Sequence, residues 1–176
     1  ISSSILHKDR DRFFREKDYQ TIDKLKSYYL DDYCDCMVLN FWSALNYGAI
    51  LTCFGVQCLL QELGYLTKVI NYVSYPEELE CDYEKSFTNN FANKYLNLTK
   101  PIKCYNDLFS LNQKANTFVV GSDQVWRRSC INELLKNDLS WSIYFLDFVR
   151  ACNKKVSYSA SLGIDNIEGS LIDQEK

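Results

Sequence analysis

The sequence predicts an α/β fold, a Rossmann-like parallel sheet flanked by helices. Three observations carry that expectation. The apolar run 36–42 ends at Asn46-Tyr47-Gly48-Ala49, and a helical pattern follows over 49–63 with Gly64 as its stop. A second apolar run, 67–73, comes at once, completing strand–turn–helix–strand, the elementary piece of a parallel sheet. Far downstream, the run 117–120 closes on a second glycine turn, Gly121-Ser122-Asp123-Gln124. If runs 36–42 and 117–120 share one sheet, both turns open on its carboxyl edge, where such sheets bind ligands.

The elements follow in chain order. Residues 8–30 are charged and helical in pattern, with opposite charges at helical spacing, so 1–33 reads as a charged helical extension. The domain proper is expected over 34–165. In its first helix, Ile50, Phe54 and Cys58 form one apolar row and Leu51, Gly55, Leu59 and Leu63 another, which predicts a broad buried face. Gly55 is expected to permit close approach to a strand, and Gln57, Gln61 and Glu62 to face solvent. After a loop at 74–78, Tyr83, Phe87, Phe91 and Tyr95 recur at every fourth residue. Such a stripe is usually core; the rival reading is a wall that stacks on sugar rings. Thr99-Lys100-Pro101 breaks the pattern, and Asn106 or Asp107 is placed to cap a short helix ending near Leu111. Residues 127–140 read as an irregular or short helical insert. Runs 141–149 and 155–159 read as strands from their Ile, Tyr, Phe and Val content. Residues 166–176 read as the start of a link to a further, C-terminal half, and the opening Ile1-Ser2, without Met, agrees with a piece of a longer chain.

Composition bounds the function. The chain has 176 residues, 47% hydrophobic, enough for one real core. Aromatics reach 15%, while 6 Gly and 2 Pro argue against a disordered chain. A net charge of −3 offers no footprint for nucleic acid, and no apolar run has the length of a membrane helix. The 8 cysteines include no Cys-x-x-Cys pair, so free, mostly buried thiols are expected rather than a zinc site. The single histidine, His7, lies in the extension, which argues against a Ser-His-Asp or Cys-His nucleophile. Asn97-Leu98-Thr99 fits a glycosylation sequon and is read as chance. Neither G-x-G-x-x-G nor G-x-x-x-x-G-K-[ST] occurs, so dinucleotide and P-loop binding fail on sequence.

Four segments carry a resemblance: Asn46-Tyr47-Gly48-Ala49, residues 120–127 (Val-Gly-Ser-Asp-Gln-Val-Trp-Arg), residues 144–149 (Tyr-Phe-Leu-Asp-Phe-Val) and residues 155–163 (Lys-Val-Ser-Tyr-Ser-Ala-Ser-Leu-Gly). In this order, over most of the chain, they resemble the N-terminal half of the polysaccharide pyruvyl transferase family. Gly-Ser-Asp-Gln-Val-Trp is the most specific. The resemblance implies a bacterial enzyme of the cell envelope that moves a pyruvyl group from phosphoenolpyruvate onto a pair of sugar hydroxyls, making a ketal. It implies two Rossmann-like halves facing a cleft, as in GT-B glycosyltransferases, with this chain the acceptor-side half and alone inactive. Phosphoenolpyruvate is then a donor substrate and no resident cofactor is implied. The residues gripping it are expected largely in the other half. The partners are a saccharide acceptor, phosphoenolpyruvate and the C-terminal domain, and the expected place is the cytoplasm or the inner face of the membrane. Two other readings stand beside it. One is a GT-B-type sugar-nucleotide glycosyltransferase, the other a non-catalytic half-domain that binds glycan or protein.

The candidate site residues sit in these turns. Asp123 can accept from sugar hydroxyls or act as the base that removes a hydroxyl proton. Gly121 frees the backbone to approach a ligand, and Ser122 and Gln124 add neutral hydrogen-bonding groups. Trp126 offers a flat apolar face for a pyranose, and Arg127 with Arg128 a fork for carboxylate or phosphate. Asn46 can bond its own backbone or a ligand, Tyr47 neighbours it, and Gly48 opens a helix N-terminus that favours an anion. In the serine-rich segment, Ser157 and Ser159 read as structural and Ser161 as facing the cleft. No metal-ligand cluster is visible.

Overall fold

The computed structural model describes residues 33–43, 45–72, 86–127 and 141–164. Tyr33 apart, these belong to one compact unit of the chain, Cys34–Lys176. The charged extension with His7, Tyr83, Cys81, the insert 128–140 with Arg128 and Cys130, and the tail 165–176 lie outside the described residues.

Strands β1 (Cys34–Leu39), β2 (Thr67–Val69), β3 (Ala115–Val120) and β4 (Lys154–Ser157) form one all-parallel sheet in the order β2-β1-β3-β4. Helix α1 (Tyr47–Glu62) connects β1 to β2. Helices α2 (Phe87–Tyr95) and α3 (Tyr105–Ser110) precede β3, and a 3-10 turn, Trp141–Phe145, precedes β4. This is a Rossmann-like α/β fold. The chain winds outward from β1 to β2, then crosses back to β3 on the other side of β1. The winding therefore reverses between β1 and β3, the crevice where open α/β sheets take ligands. Leu39 pairs with Val120, and the Gly121 N–H reaches the Leu39 carbonyl at 3.4 Å, so both strands end level.

Side-chain alternation sends the strands into two cores. Met37, Leu39, Phe118 and Val120 pack with Leu108, Ile143, Leu146 and Phe148 on one face. Val38, Val69 and Val119 pack with Ile50, Cys53 and Val56 of α1 and Ala92 of α2 on the other. Each fully buried side chain of this size contributes about 1.5–3 kcal/mol. All six residues of β1 are buried, as its central place requires.

Local chemistry sets the ends of α1. Asn46 is the N-cap, its Oδ1 accepting from the Gly48 and Ala49 N–H groups at 2.8 and 3.3 Å. At the other end Gly64, at φ 88°, donates to the Gln61 carbonyl while Tyr65 donates to that of Leu60, a Schellman stop.

The buried face of α1 differs from the expected rows. Leu51 and Leu63 are 51% and 65% exposed, and the buried set is Ala49, Ile50, Cys53, Val56 and Gln57. Gly55 approaches no strand; it is exposed, and a Cβ there would meet nothing within 4 Å. Gln57 is buried because it serves the end of α2, donating to the Tyr95 carbonyl and accepting from the Asn97 N–H.

Other boundaries also move. β2 stops at Val69, and its outer edge is taken by 97–102: Val69 N–H donates to Asn97 and Thr99 N–H returns to Val69. Asn97 of the sequon spends its amide on the Thr67 carbonyl. The cap of α3 is Cys104, not Asn106 or Asp107; Asp107 reaches back to accept from the Lys103 and Cys104 N–H groups. Residues 141–149 form no strand. Ile143, Tyr144, Leu146, Phe148 and Val149 are buried without alternation, and Leu146 has φ 56°. Local turns hold part of their backbone, and Asn112 Nδ2 donates to the Phe148 carbonyl at 2.8 Å. β4 ends at Ser157, and Ser159, at φ 50°, has left the sheet.

Candidate functional site

The Gly121 turn leaves β3 at the switch point and is locked by the segment that leaves β4. At φ 104°, a Cβ on residue 121 would lie 2.4 Å from the Tyr158 carbonyl oxygen and 2.8 Å from the Ala160 nitrogen. The close approach that Gly121 permits is thus to the chain's own backbone. Ser161 donates its N–H to the Asp123 carbonyl at 3.0 Å and accepts from the Trp126 N–H at 3.2 Å. Gly163, at φ 65°, lies against Gln124, where a Cβ would come within 2.2 Å of the side-chain Cδ. Gly121-Ser122-Asp123-Gln124 and 158–163 are therefore one interlocked structure.

Inside it, several polar side chains have partners within the protein. The Asp123 carboxylate accepts from the Gln124 N–H at 2.7 Å, and Gln124 Oε1 accepts from Arg127 Nη1 at 3.1 Å. Trp126 donates from Nε1 to the Tyr144 carbonyl at 3.0 Å and lies stacked on Phe145, with centroids 5.5 Å apart and planes 5° apart. One face of the indole is thereby covered. Asp123, Ser122, Gln124, Trp126 and Arg127 are half-buried, and Ser161 is exposed.

The Asn46 turn leaves β1 at the same sheet edge. Asn46, Tyr47 and Gly48 are exposed. The Asn46 side-chain oxygen is engaged as the helix cap. The Tyr47 ring lies 5.0 Å from that of Phe87, the first of a chain of ring contacts through Phe91, Tyr95 and Phe54. The aromatic stripe of α2 is thus only partly core: Phe87 is 54% and Tyr95 45% exposed.

Neither turn contains a cysteine. Burial pushes Cys34 up to about 12, with Lys68 partly opposing it, and burial raises Cys53 as well. Cys36 is also buried, Cys58 half-buried, and Cys104 and Cys152 exposed; all six described cysteines are free, as expected. Among the described residues no group of His, Cys, Asp or Glu is placed to hold a metal ion, and no helix is long and apolar enough to cross a membrane.

One residue of this edge is missing from the sequence-based set. Asn40 directly follows β1, inside a run that otherwise reads as apolar strand. It is 4% exposed, its Oδ1 accepts from the Phe41 N–H at 2.7 Å, and its Nδ2 has no hydrogen-bond partner. A lone polar residue at the carboxyl end of an apolar run is the signal that marks it.

No protein-family model, curated protein or solved structure matches the chain.

Proposed function

We propose that the chain forms the acceptor-side half of an enzyme that transfers a pyruvyl group from phosphoenolpyruvate to two sugar hydroxyls of a surface polysaccharide or its precursor. The observation that supports this reading is the meeting of its turns. The Gly121 turn and the serine-rich segment interlock, and the Asn46 turn leaves the neighbouring strand at the same carboxyl edge.

In this reading one sugar hydroxyl adds to C2 of phosphoenolpyruvate while C3 gains a proton and becomes a methyl group. The second hydroxyl displaces phosphate from C2, which closes the ketal. Asp123 takes a hydroxyl proton, and its carboxylate is held for this by the Gln124 N–H. Arg127, oriented by Gln124, supplies positive charge beside the turn. The exposed rings of Tyr47 and Phe87 stack on the acceptor.

The test is to incubate the full-length protein with phosphoenolpyruvate and candidate saccharides, following phosphate release and the mass of the acceptor. Ketal-bearing product with matching phosphate release is expected. Transfer from a nucleotide sugar instead would replace this reading with a glycosyltransferase.

A further inference from the structure

Asn40 is the one buried side chain among the described residues with an orphan polar atom. A buried donor left without a partner is costly, and native structures keep few of them. Its place gives it meaning. Val38 before it and Trp42 after it both belong to the core beneath α1 and α2, while Leu39 and Phe41 belong to the opposite core. Period-two alternation therefore puts Asn40 on the α1 side, at the carboxyl end of β1, next to the switch point.

Above that end of the strand lies the N-terminus of a 16-residue helix, whose dipole favours negative charge. A neutral amide donor and a positive helix end at one place select an oxygen that carries negative charge. Asn40 Nδ2 is itself shielded from solvent, and the Gly48 and Ala49 N–H groups are held by Asn46, so an anion reaches this place only when the exposed turn 45–48 yields.

We propose that Asn40 Nδ2 is a binding donor for a small oxyanion, a carboxylate or phosphate group, seated at the N-terminus of α1. The residue anchors itself through Oδ1 to the Phe41 N–H and presents its NH₂ to the ligand. The pyruvyl-transfer reading enters only in naming phosphoenolpyruvate, which carries both groups, as the ligand.

The experiment titrates the full-length protein with phosphoenolpyruvate, inorganic phosphate and pyruvate in turn, by calorimetry, for wild type, Asn40→Ala and Asn40→Asp. The melting temperature of each is measured alongside. Asn40→Ala is expected to weaken phosphoenolpyruvate binding about tenfold or more, the scale of a hydrogen bond to a charged group. Asn40→Asp keeps the acceptor for Phe41 but turns a donor into an anion, and is expected to abolish binding. If one of these variants does not fold, Asn40→Ser carries the same test. Asn40-dependent binding of phosphate alone, or of pyruvate alone, identifies which end of the donor the amide grips. Equal affinity in wild type and variants, or no saturable binding of any of the three probes to wild type, overturns the proposal. Asn40-dependent binding without transfer to any saccharide would overturn the pyruvyl-transfer reading and leave the oxyanion site standing. Transfer insensitive to Asn40 would do the reverse.

Discussion

The Asn46 turn and the Gly121 turn leave adjacent strands at one sheet edge, yet they are built in opposite ways. The first is closed by its own residues: Asn46 caps α1, and positions 45–48 stay exposed. The second is closed by a remote segment, with Gly121 against Tyr158 and Ala160, Ser161 bonded in both directions, and Gly163 against Gln124. A turn made of local hydrogen bonds can yield to a ligand without disturbing the sheet. A turn clamped by tertiary backbone contacts holds its side chains in fixed positions. In the proposed chemistry the clamped turn suits a base that must be pre-positioned, and the local turn suits the admission of a ligand to Asn40.

The largest expected effect separates chemistry from scaffold within the clamped turn. Asp123→Asn keeps the acceptor for the Gln124 N–H but removes the base and the charge. It should lower pyruvyl transfer by about 10²- to 10⁴-fold with little change in melting temperature. Transfer near wild type in the folded variant would make Asp123 part of the scaffold and move the base elsewhere. Next comes the clamp itself. Gly121→Ala must shift backbone of the neighbouring segment and hold an L residue at φ 104°. A loss of about 3 kcal/mol or more is expected in chemical denaturation, with activity falling as the turn is displaced. A variant as stable as wild type would mean that the two segments are not clamped.

These two turns also show what a sequence discloses. The parallel sheet was legible because strand-length apolar runs, glycine turns and a helix stop are local signals, and Gly64 ends α1 as its type predicts. The buried face of α1 was not, because apolar spacing does not say which neighbours cover it. Leu51 faces solvent, while Gln57 is buried to serve the backbone of another helix. The residues 141–149 have strand composition, but that composition reports burial, and here the burial is that of an irregular cover held by Asn112. Both glycine turns were expected at the carboxyl edge of one sheet, and β1 and β3 do pair and end level there. Residue types did not show that Trp126 is stacked on Phe145 or that Gln124 lies against Gly163, since those partners lie elsewhere in the chain. Asn40 was hidden by its apolar neighbours.

The local turn should break more gently. Asn46→Ala removes the side-chain acceptor of two amides at the start of α1. The expected loss is about 1 kcal/mol, read by denaturant midpoint, because water can replace a cap at an exposed position. A loss as large as that of Gly121→Ala would show that the Asn46 turn, too, is a tertiary structure.

The smallest effect is expected at the other glycine. Gly48 lies in the first turn of α1, is exposed, and has no positive φ; a Cβ there would meet only Asn46 Oδ1, at 3.1 Å. That contact is tight, but the neighbour is a surface side chain that can give way by a few tenths of an ångström. Alanine also favours the helix over glycine by up to about 1 kcal/mol, which works against the crowding. Gly48→Ala should therefore change stability by less than about 0.5 kcal/mol. It should do so even though both glycines stand in turns at one sheet edge. Measured together, the two Gly→Ala substitutions read the comparison directly: a large loss at 121 and almost none at 48 means that the edge is half clamp and half opening. A loss at 48 comparable to that at 121 would mean that the Asn46 turn also needs its glycine for close approach, and that the turn beside Asn40 does not yield as a surface turn does.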